Sequence, residues 1–262
     1  MRFDIVTLFP ELFAPFLTVG VTRRAFESGA VQVKLWPLRD YAQGQYRRVD
    51  DRPFGGGPGM LMMAEPLLQC LKAIGADRPE PAPVILFAPV GARLNHAVVQ
   101  TWASSAGAVL LCGRYEGIDQ RFIDQHVDVQ MSLGDFVLSG GELAAMALLD
   151  AVARLQPGVL NDAESHQADS FNPALDGLLD CPHFTRPEVW QGQAVPPVLM
   201  SGNHAQIANW RREQSLRLTA ISRPDLIDAA RAGGGLSAQD ENFLLLLKAR
   251  MTPDADLGLT KG

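Results

Sequence analysis

Two short runs of uninterrupted apolar residues constrain the fold of this chain more than any other feature. They occupy 84–88 (VILFA) and 108–112 (AVLLC), and residues 94–104 between them can form a helix. A strand without polar alternation is typical of a parallel sheet that is covered on both faces. The order strand, helix, strand predicts a βαβ unit with a right-handed crossover. We therefore predict an α/β fold, with further strands over 3–8, 31–36 and 127–131.

Composition narrows the class of protein. The 262 residues are 47% hydrophobic and 20% charged, which suits a globular core and excludes a disordered chain. No apolar stretch approaches the ~18 residues that indicate a membrane span. Acidic residues interrupt the apolar N-terminus, unlike a secretory signal, so we expect a cytoplasmic protein. A net charge of −6 argues against non-specific coating of nucleic acid, although basic residues outnumber acidic ones in 1–60 and in 203–262.

The cysteines and histidines give little support for a disulfide or a metal. Cys70, Cys112 and Cys181 are scattered and form no CxxC pair, which predicts reduced thiols packed as small apolar groups. None of the five histidines has the spacing of a catalytic zinc motif. Metal catalysis is therefore not predicted.

A change in composition divides the chain. Residues 141–155 carry Ala and Leu on nearly every face, which predicts a helix buried all round, with a partner subunit as one means of covering it. Proline recurs through 156–202 and predicts irregular structure. Beyond it, Asn203 and Ser237 are placed to cap helices, and Ser222 followed by Arg223-Pro224-Asp225 is a start signal for another. We predict an α/β domain over 1–160, a linker over 161–175 and a small helical domain over 176–262.

A glycine-rich segment, residues 52–60 (RPFGGGPGM), is the most unusual local feature. It is not a P-loop, because no Gly-Lys-Ser/Thr follows, and its spacing does not fit a dinucleotide fingerprint. Two interpretations stay open: a flexible surface loop, or a mobile loop beside a ligand. In the second case Arg47, Arg48 and Arg52 could meet phosphates.

Two further clusters follow predicted strands, at 112–119 (CGRYEGID) and 132–142 (SLGDFVLSGGE). Loops beyond the carboxyl ends of parallel strands build the ligand crevice of open α/β sheets. Glu116 either balances a cationic ligand group or is a solvated side chain in a tight turn. Ser139 lacks the glycine two positions earlier that a hydrolase nucleophile elbow requires. Because three loops follow predicted strands, they could converge on one small molecule; these loops are Ala88–Gly91, Gly113–Ile118 and Ser132–Gly141.

At these segments the sequence resembles the bacterial tRNA (guanine-N1)-methyltransferases of the knotted SPOUT class. The resemblance runs from Met1 to about Arg250 and includes 3–11, 50–60, 112–119, 134–142, 169–172, 179–190 and 196–204. One departure is Phe87-Ala88-Pro89-Val90-Gly91, where the family usually shows Leu-Ser-Pro-Gln-Gly. Because Pro89 and Gly91 are kept, we expect backbone contacts to survive there.

The resemblance implies a parallel sheet with a deep trefoil knot and a small C-terminal helical domain. It also implies S-adenosylmethionine as methyl donor, tRNA guanine 37 as acceptor, and a homodimer with active sites at the subunit interface. The family is reported to use magnesium, for which the sequence offers no ligand set. The implied cofactor-binding residues are Pro89, Gly91, Gly113, Tyr115, Glu116, Gly117, Ile118, Ser132, Leu133, Gly134, Asp135, Phe136, Val137, Leu138, Gly140 and Gly141.

The resemblance also assigns chemical roles. Asp169, which on its own would be a turn or cap aspartate, would remove the proton from guanine N1. Arg154 would stabilise the charge that develops on O6. The implied substrate-binding residues are Asp50, Arg52, Glu116 and Ser165. The helical domain would hold the tRNA stem through Arg211, Arg212 and Arg217.

Two other functions compete with this one. A non-catalytic RNA-binding protein would retain the scaffold but carry a damaged cofactor loop or lack the Asp169–Arg154 pair, and both are intact in the sequence. An NAD- or ATP-dependent enzyme is excluded by motif spacing.

Overall fold

The structure is a computed structural model that describes residues 1–160 and 167–251. The chain divides into two compact units, Met1–Ala163 and Glu164–Gly262. The predicted substrate residue Ser165 lies outside the described residues, as does the first part of the predicted linker.

A parallel sheet forms the centre of the first unit. The strands of this unit are β1 (Arg2–Thr7), β2 (Gln32–Pro37), β3 (Asp50–Asp51), β4 (Leu61–Met62), β5 (Val84–Arg93), β6 (Val109–Leu111) and β7 (Val129–Ser132). The central sheet has the order β2-β1-β6-β5-β7, and every neighbouring pair in it is parallel. Strands β3 and β4 form a separate antiparallel pair. The predicted α/β fold with a parallel sheet is confirmed.

Helices cover both faces of this sheet. They are α1 (Phe13–Thr18), α2 (Arg23–Glu27), α3 (Ala64–Asp77), α4 (His96–Ala103), α5 (Gln120–His126) and α6 (Glu142–Arg154). On one face Ile5 and Leu110 belong to a buried cluster with Leu148 of α6. On the other face Leu111 belongs to a cluster with Leu67 of α3 and Phe122 of α5. Burial on both sides explains why the strands are apolar without alternation.

Strand β5 is longer than the sequence predicts. The prediction ended it at Ala88, but it continues to Arg93 after an irregularity: both Phe87 and Ala92 pair with Met131 of β7. Residues 88–91 are therefore displaced from the ladder, which is how a bulge re-aims the chain. The bulge carries Pro89 out of the sheet at its carboxyl end.

Within a single chain, helix α6 is not buried on every side, and the prediction for 141–155 named a partner subunit as one means of covering it. Ala145, Leu148, Leu149 and Val152 are fully buried, yet Leu143 is 56% exposed and Met146 is half-buried. Within one chain the sheet covers one face of the helix, so the opposite face, with Leu143 and Met146, remains open.

The second unit is mostly helical around a small core. Its elements are the hairpin strands β8 (Val189–Trp190) and β9 (Gln193–Ala194) and the helices α7 (His204–Ser222), α8 (Pro224–Ala232) and α9 (Ala238–Met251). Leu178, Leu216 and Ile227 form its buried cluster.

Both predicted helix caps are confirmed. The Asn203 side chain accepts a hydrogen bond from the Gln206 amide at 3.2 Å, and the Ser237 hydroxyl accepts one from the Asp240 amide at 3.1 Å. The start signal at Ser222-Arg223-Pro224-Asp225 is also confirmed, because α7 ends at Ser222 and α8 begins at Pro224. Proline at the first helical position begins α8 without a side-chain cap.

Within the described ranges, no helix combines the length and apolar character needed to cross a membrane. The trefoil knot and the boundaries 1–160, 161–175 and 176–262 stay predictions.

Candidate cofactor and substrate site

A cavity of about 380 Å³ opens where strands β5, β6 and β7 end. The carboxyl ends of parallel strands meet at one edge of a sheet, which is where α/β proteins bind ligands. All three predicted loops contribute to its wall, so the structure brings them together. From the expected cofactor residues the wall contains Pro89, Gly113, Tyr115, Glu116, Gly117, Ile118, Ser132, Leu133, Gly134, Phe136, Val137, Leu138, Gly140 and Gly141.

Two expected cofactor residues are absent from this wall. Gly91 faces β7 instead: a Cβ atom at this position would lie 2.3 Å from the Met131 nitrogen. Its lack of a side chain therefore allows the bulged strand to rejoin the ladder. Asp135 is exposed and forms an ion pair with Arg93. Both residues shape the loops without lining the cavity in this structure.

The sequence did not single out the strand residues that complete the wall. Phe87 and Gln130 line it from β5 and β7, and Ala144 lines it from the first turn of α6. Phe87 immediately precedes the bulge of β5, Gln130 lies within the short strand β7, and Ala144 is near the start of α6. The rule that ligands bind at these ends could have identified them.

Close backbone contacts hold the wall together. The Gly141 amide donates a hydrogen bond to the Gly113 carbonyl oxygen at 3.0 Å. A Cβ atom on Gly141 would lie 2.8 Å from the Cα of Cys112. Since a Cβ atom cannot approach backbone so closely, glycine is required where α6 begins against β6.

The glycine-rich segment ends against the same wall. The Glu116 amide donates a hydrogen bond to the Met60 carbonyl oxygen at 3.0 Å, and the Glu116 side chain packs over Gly59. At the start of the segment, Arg52 is exposed and Phe54 is fully exposed. The geometry favours a loop beside the ligand cavity over an unrelated surface loop.

Asp50 also lies near the cavity. Burial and the Asp50 carboxylate raise the pKa of the Tyr115 phenol, and the Arg39 guanidinium partly opposes this shift. Tyr115 itself has a φ of 61°, a left-handed conformation that turns the loop after β6. The structure thus places an expected substrate residue beside an expected cofactor residue.

The two expected catalytic residues belong to different units. Arg154 is the last residue of α6 and is half-buried. Asp169 lies in a turn of the second unit, where its carbonyl oxygen accepts a hydrogen bond from the Asn172 amide at 3.2 Å. The Asp180 amide donates to the Ser170 hydroxyl at 2.9 Å and anchors this turn within its own unit.

The expected tRNA-binding arginines do not behave alike. Arg211 and Arg217 are exposed, and within the described part of the chain neither forms an ion pair. Arg212 is different: its guanidinium lies 2.9 Å from Asp176 and 3.0 Å from Asp240. Two carboxylates therefore already neutralise Arg212, which makes it a less suitable phosphate ligand than Arg211 or Arg217.

Asp180, Cys181 and His183 also lie close together in the second unit. Their potential ligand atoms are within 4.8 Å of one another, and the His183 Nε2 lies 2.8 Å from the Asp180 Oδ2. The Cys181 thiol is buried, and burial raises its pKa, with a further contribution from Asp180. Structural zinc sites have four protein ligands, and only three potential ligands are grouped here among the described residues, so they do not form a complete site of that kind.

Comparison with known proteins places the chain among methyltransferases. Residues 1–229 match the family model described as tRNA (Guanine-1)-methyltransferase TrmD. A protein of Polaromonas sp. named tRNA (guanine-N(1)-)-methyltransferase is 68% identical over 259 residues, covering 97% of this chain and all of the relative. A protein of the same name in Albidiferax ferrireducens is 73% identical, with 93% of this chain and 98% of the relative covered. Another in Paracidovorax citrulli is 70% identical, with 94% of this chain and 98% of the relative covered.

Proposed function

Because the chain belongs to the tRNA (guanine-1)-methyltransferase family, we propose that it transfers a methyl group from S-adenosylmethionine to N1 of guanine 37 in tRNA. The observation that carries this proposal is the cavity formed by three loops at the carboxyl edge of the sheet. Residue types and backbone geometry there suit a small cofactor.

The wall of the cavity fits the proposed donor. The cavity has a volume of about 380 Å³, which lies within the roughly 300–1,000 Å³ of small-molecule sites. Apolar side chains such as Leu86, Ile118 and Leu138 can cover an adenine ring, and glycines expose backbone groups for hydrogen bonds to polar edges. S-adenosylmethionine supplies an electrophilic methyl group on a sulfonium. The carboxylate of Glu116 lines the cavity and can balance such a positive charge.

Guanine N1 carries a proton at neutral pH, so the chain must supply a base. We assign this role to Asp169, whose carboxylate would accept the N1 proton as the methyl carbon leaves the sulfonium sulfur, which becomes a neutral thioether, and bonds to N1. Loss of that proton places negative charge on O6. We assign its stabilisation to the guanidinium of Arg154. Asp50, Arg52 and Glu116 would hold the guanine and its neighbours beside the cavity, together with Ser165.

We further propose that two copies of the chain complete each site. The open face of α6, with Leu143 exposed, is a candidate contact surface for the second copy. Asp169 of one protomer would then serve the cavity of its partner. Arg211 and Arg217 would contact phosphates of the tRNA stem.

A methyl-transfer assay tests this function. Purified protein is mixed with S-adenosylmethionine carrying a labelled methyl group and with an unmodified tRNA transcript that has guanine at position 37. We expect one methyl group per tRNA, found at N1 by nucleoside analysis, and none in a matched transcript with adenine 37. Absence of transfer by folded protein to a cognate tRNA would refute the proposal.

A further inference from the structure

A buried ion pair closes one side of the cavity wall. Glu142, the first residue of α6, is 1% exposed, and its Oε2 lies 2.9 Å from the Arg114 Nη2. Its Oε1 accepts hydrogen bonds from the Arg114 Nε at 3.2 Å and from the Thr7 hydroxyl at 2.9 Å. The three residues belong to the loop after β6, the start of α6 and the end of β1. One carboxylate therefore joins three separate elements.

Arg114 carries this connection into the cavity. It lines the wall, and its Nη1 donates to the Ser139 carbonyl oxygen at 3.2 Å. Its backbone also forms an isolated antiparallel bridge with Gly140. The guanidinium carbon lies 4.5 Å from the centre of the Phe9 ring, which covers its outer side. A single side chain thus spans the loop after β6 and the loop before α6.

Gly140 leaves the space that the ion pair needs. A Cβ atom there would lie 2.2 Å from the Arg114 Nε and 2.5 Å from the Glu142 Oε2. Any other residue would push the guanidinium away from its carboxylate. The glycine of one loop and the arginine of the other are therefore fitted to each other.

We propose that Glu142, acting through Arg114 and assisted by Thr7, is a positioning residue that fixes the spacing of the two cofactor loops. Glu142 and Thr7 are not part of the cavity wall, so their effect on a bound donor is indirect. Preformed spacing matters because a loop that must be ordered on binding weakens affinity. This inference rests on the proposed use of S-adenosylmethionine.

A purely structural role is the competing explanation, and the chain offers a matched control for it. Asp4, on the same strand β1 as Thr7, is also a fully buried carboxylate. It accepts hydrogen bonds from Arg78 at 2.5 Å and from the Trp36 indole at 2.7 Å, and Arg2 also contacts it. None of these residues lines the cavity. Loss of either buried carboxylate should destabilise the fold, but only Glu142 should affect the donor.

The test compares Glu142→Gln with Asp4→Asn in the full chain. Thermal unfolding measures stability, and calorimetric titration measures the Kd for S-adenosylmethionine well below both melting temperatures. We expect both variants to have a lower melting temperature. Only Glu142→Gln should raise the Kd for the donor, by about 10–100-fold, the loss seen when residues that orient metal ligands are replaced. In kinetics the KM for the donor should rise more than kcat falls. Equal donor affinity in the two variants would overturn the inference.

Milder changes keep the test informative if Glu142→Gln does not fold. Thr7→Val removes one hydrogen bond and should weaken donor binding a few-fold, while Arg114→Lys keeps the charge but cannot reach Ser139 and Glu142 together. Unchanged donor affinity in both would equally refute the positioning role. If the wild-type chain itself binds no S-adenosylmethionine, the proposed function fails rather than this inference alone.

Discussion

Asp169 is the side chain on which the proposed proton transfer depends. Replacing it with alanine removes the base but leaves every residue of the cavity wall in place. We expect Asp169→Ala to slow single-turnover methyl transfer by about 10²–10⁴-fold, the usual contribution of a general base. The Kd for S-adenosylmethionine should not change. Asp228 is an exposed carboxylate of the same unit, so the control variant Asp228→Ala should transfer methyl at the wild-type rate. An Asp169→Ala variant with wild-type activity would show that Asp169 is not the base.

The cysteine side chains give a prediction about reactivity. All three are free and buried, as the sequence predicted. Burial, reinforced by Asp4, raises the pKa of the Cys70 thiol to about 12, and burial raises that of Cys112 well above its usual value. A raised pKa keeps the thiol protonated, and the thiolate is the reactive form.

We therefore expect an aromatic disulfide reagent to react slowly with the folded protein between pH 7 and pH 9. In denaturant the three thiols should titrate near their ordinary pKa of about 8.5 and react quickly. Rapid stoichiometric labelling of the folded protein at pH 8 would contradict the burial described for these residues.

At the scale of elements, the strands were predicted better than the segments between them. Continuous apolar runs located β5, β6 and β7 because burial on both faces leaves a strong pattern. The continuation of β5 past Pro89 was not predicted, since a bulge depends on pairing with β7 rather than on local sequence. The fit between Gly140 and Arg114 was equally hidden, because it joins residues from two loops that are distant along the chain.

Helix α9 depends on one aspartate at its start. Asp240 accepts hydrogen bonds from the Ser237 amide and hydroxyl, both at 2.9 Å, and pairs with Arg212. Asp240→Ala removes half of a capping box and leaves Arg212 without this partner. We expect the free energy of unfolding of the second unit to fall by about 2 kcal/mol. Asp225→Ala, which breaks a solvent-exposed ion pair, should change the stability far less.

The same residue predicts a pH dependence. Burial raises the pKa of Asp240, but the Arg212 guanidinium and Ser237 outweigh it and leave the pKa below its usual value. Because its pKa is lower in the folded state, the Asp240 carboxylate stabilises the fold at pH values above its unfolded-state pKa of about 3.9. This stabilisation is lost as the pH falls through the folded-state pKa. The stability difference between wild type and Asp240→Asn should therefore shrink between pH 5 and pH 2 in urea titrations. A difference that stayed constant over this range would exclude the ion pair as its source.

At the scale of the whole molecule, the arginines of the second unit divide into paired and unpaired groups. Arg231 is held by Asp228 and Glu241, whereas Arg211 has no carboxylate partner among the described residues. We expect Arg211→Ala to weaken tRNA binding and to reduce the slope of log K against log salt by about one. Arg231→Ala is the matched control and should leave that slope unchanged. Equal slopes in both variants would remove Arg211 from the tRNA-binding surface.

The exposed face of α6 gives a prediction about assembly. Leu143 is 56% exposed on a helix that is otherwise largely buried. Leu143→Asp places a charge on this face and should convert a dimer into monomers in sedimentation experiments, with loss of methyl transfer. The helix itself should remain folded, because the changed side chain points away from the core. A dimeric Leu143→Asp variant would show that copies of the chain meet elsewhere.

The many glycines around the cavity have a consequence for inhibition. Gly113, Gly117, Gly134, Gly140 and Gly141 present main chain rather than side chains to whatever occupies the space. An inhibitor that recognises these amide and carbonyl groups would contact mainly the backbone. A substitution cannot remove backbone groups, and replacing one of these glycines would also disturb the wall. Drug resistance would then have to arise at side chains of the wall, above all at exposed ones such as Val90 and Val137, which are 83% and 85% exposed. Compounds that avoid those two positions should retain their potency longest under selection.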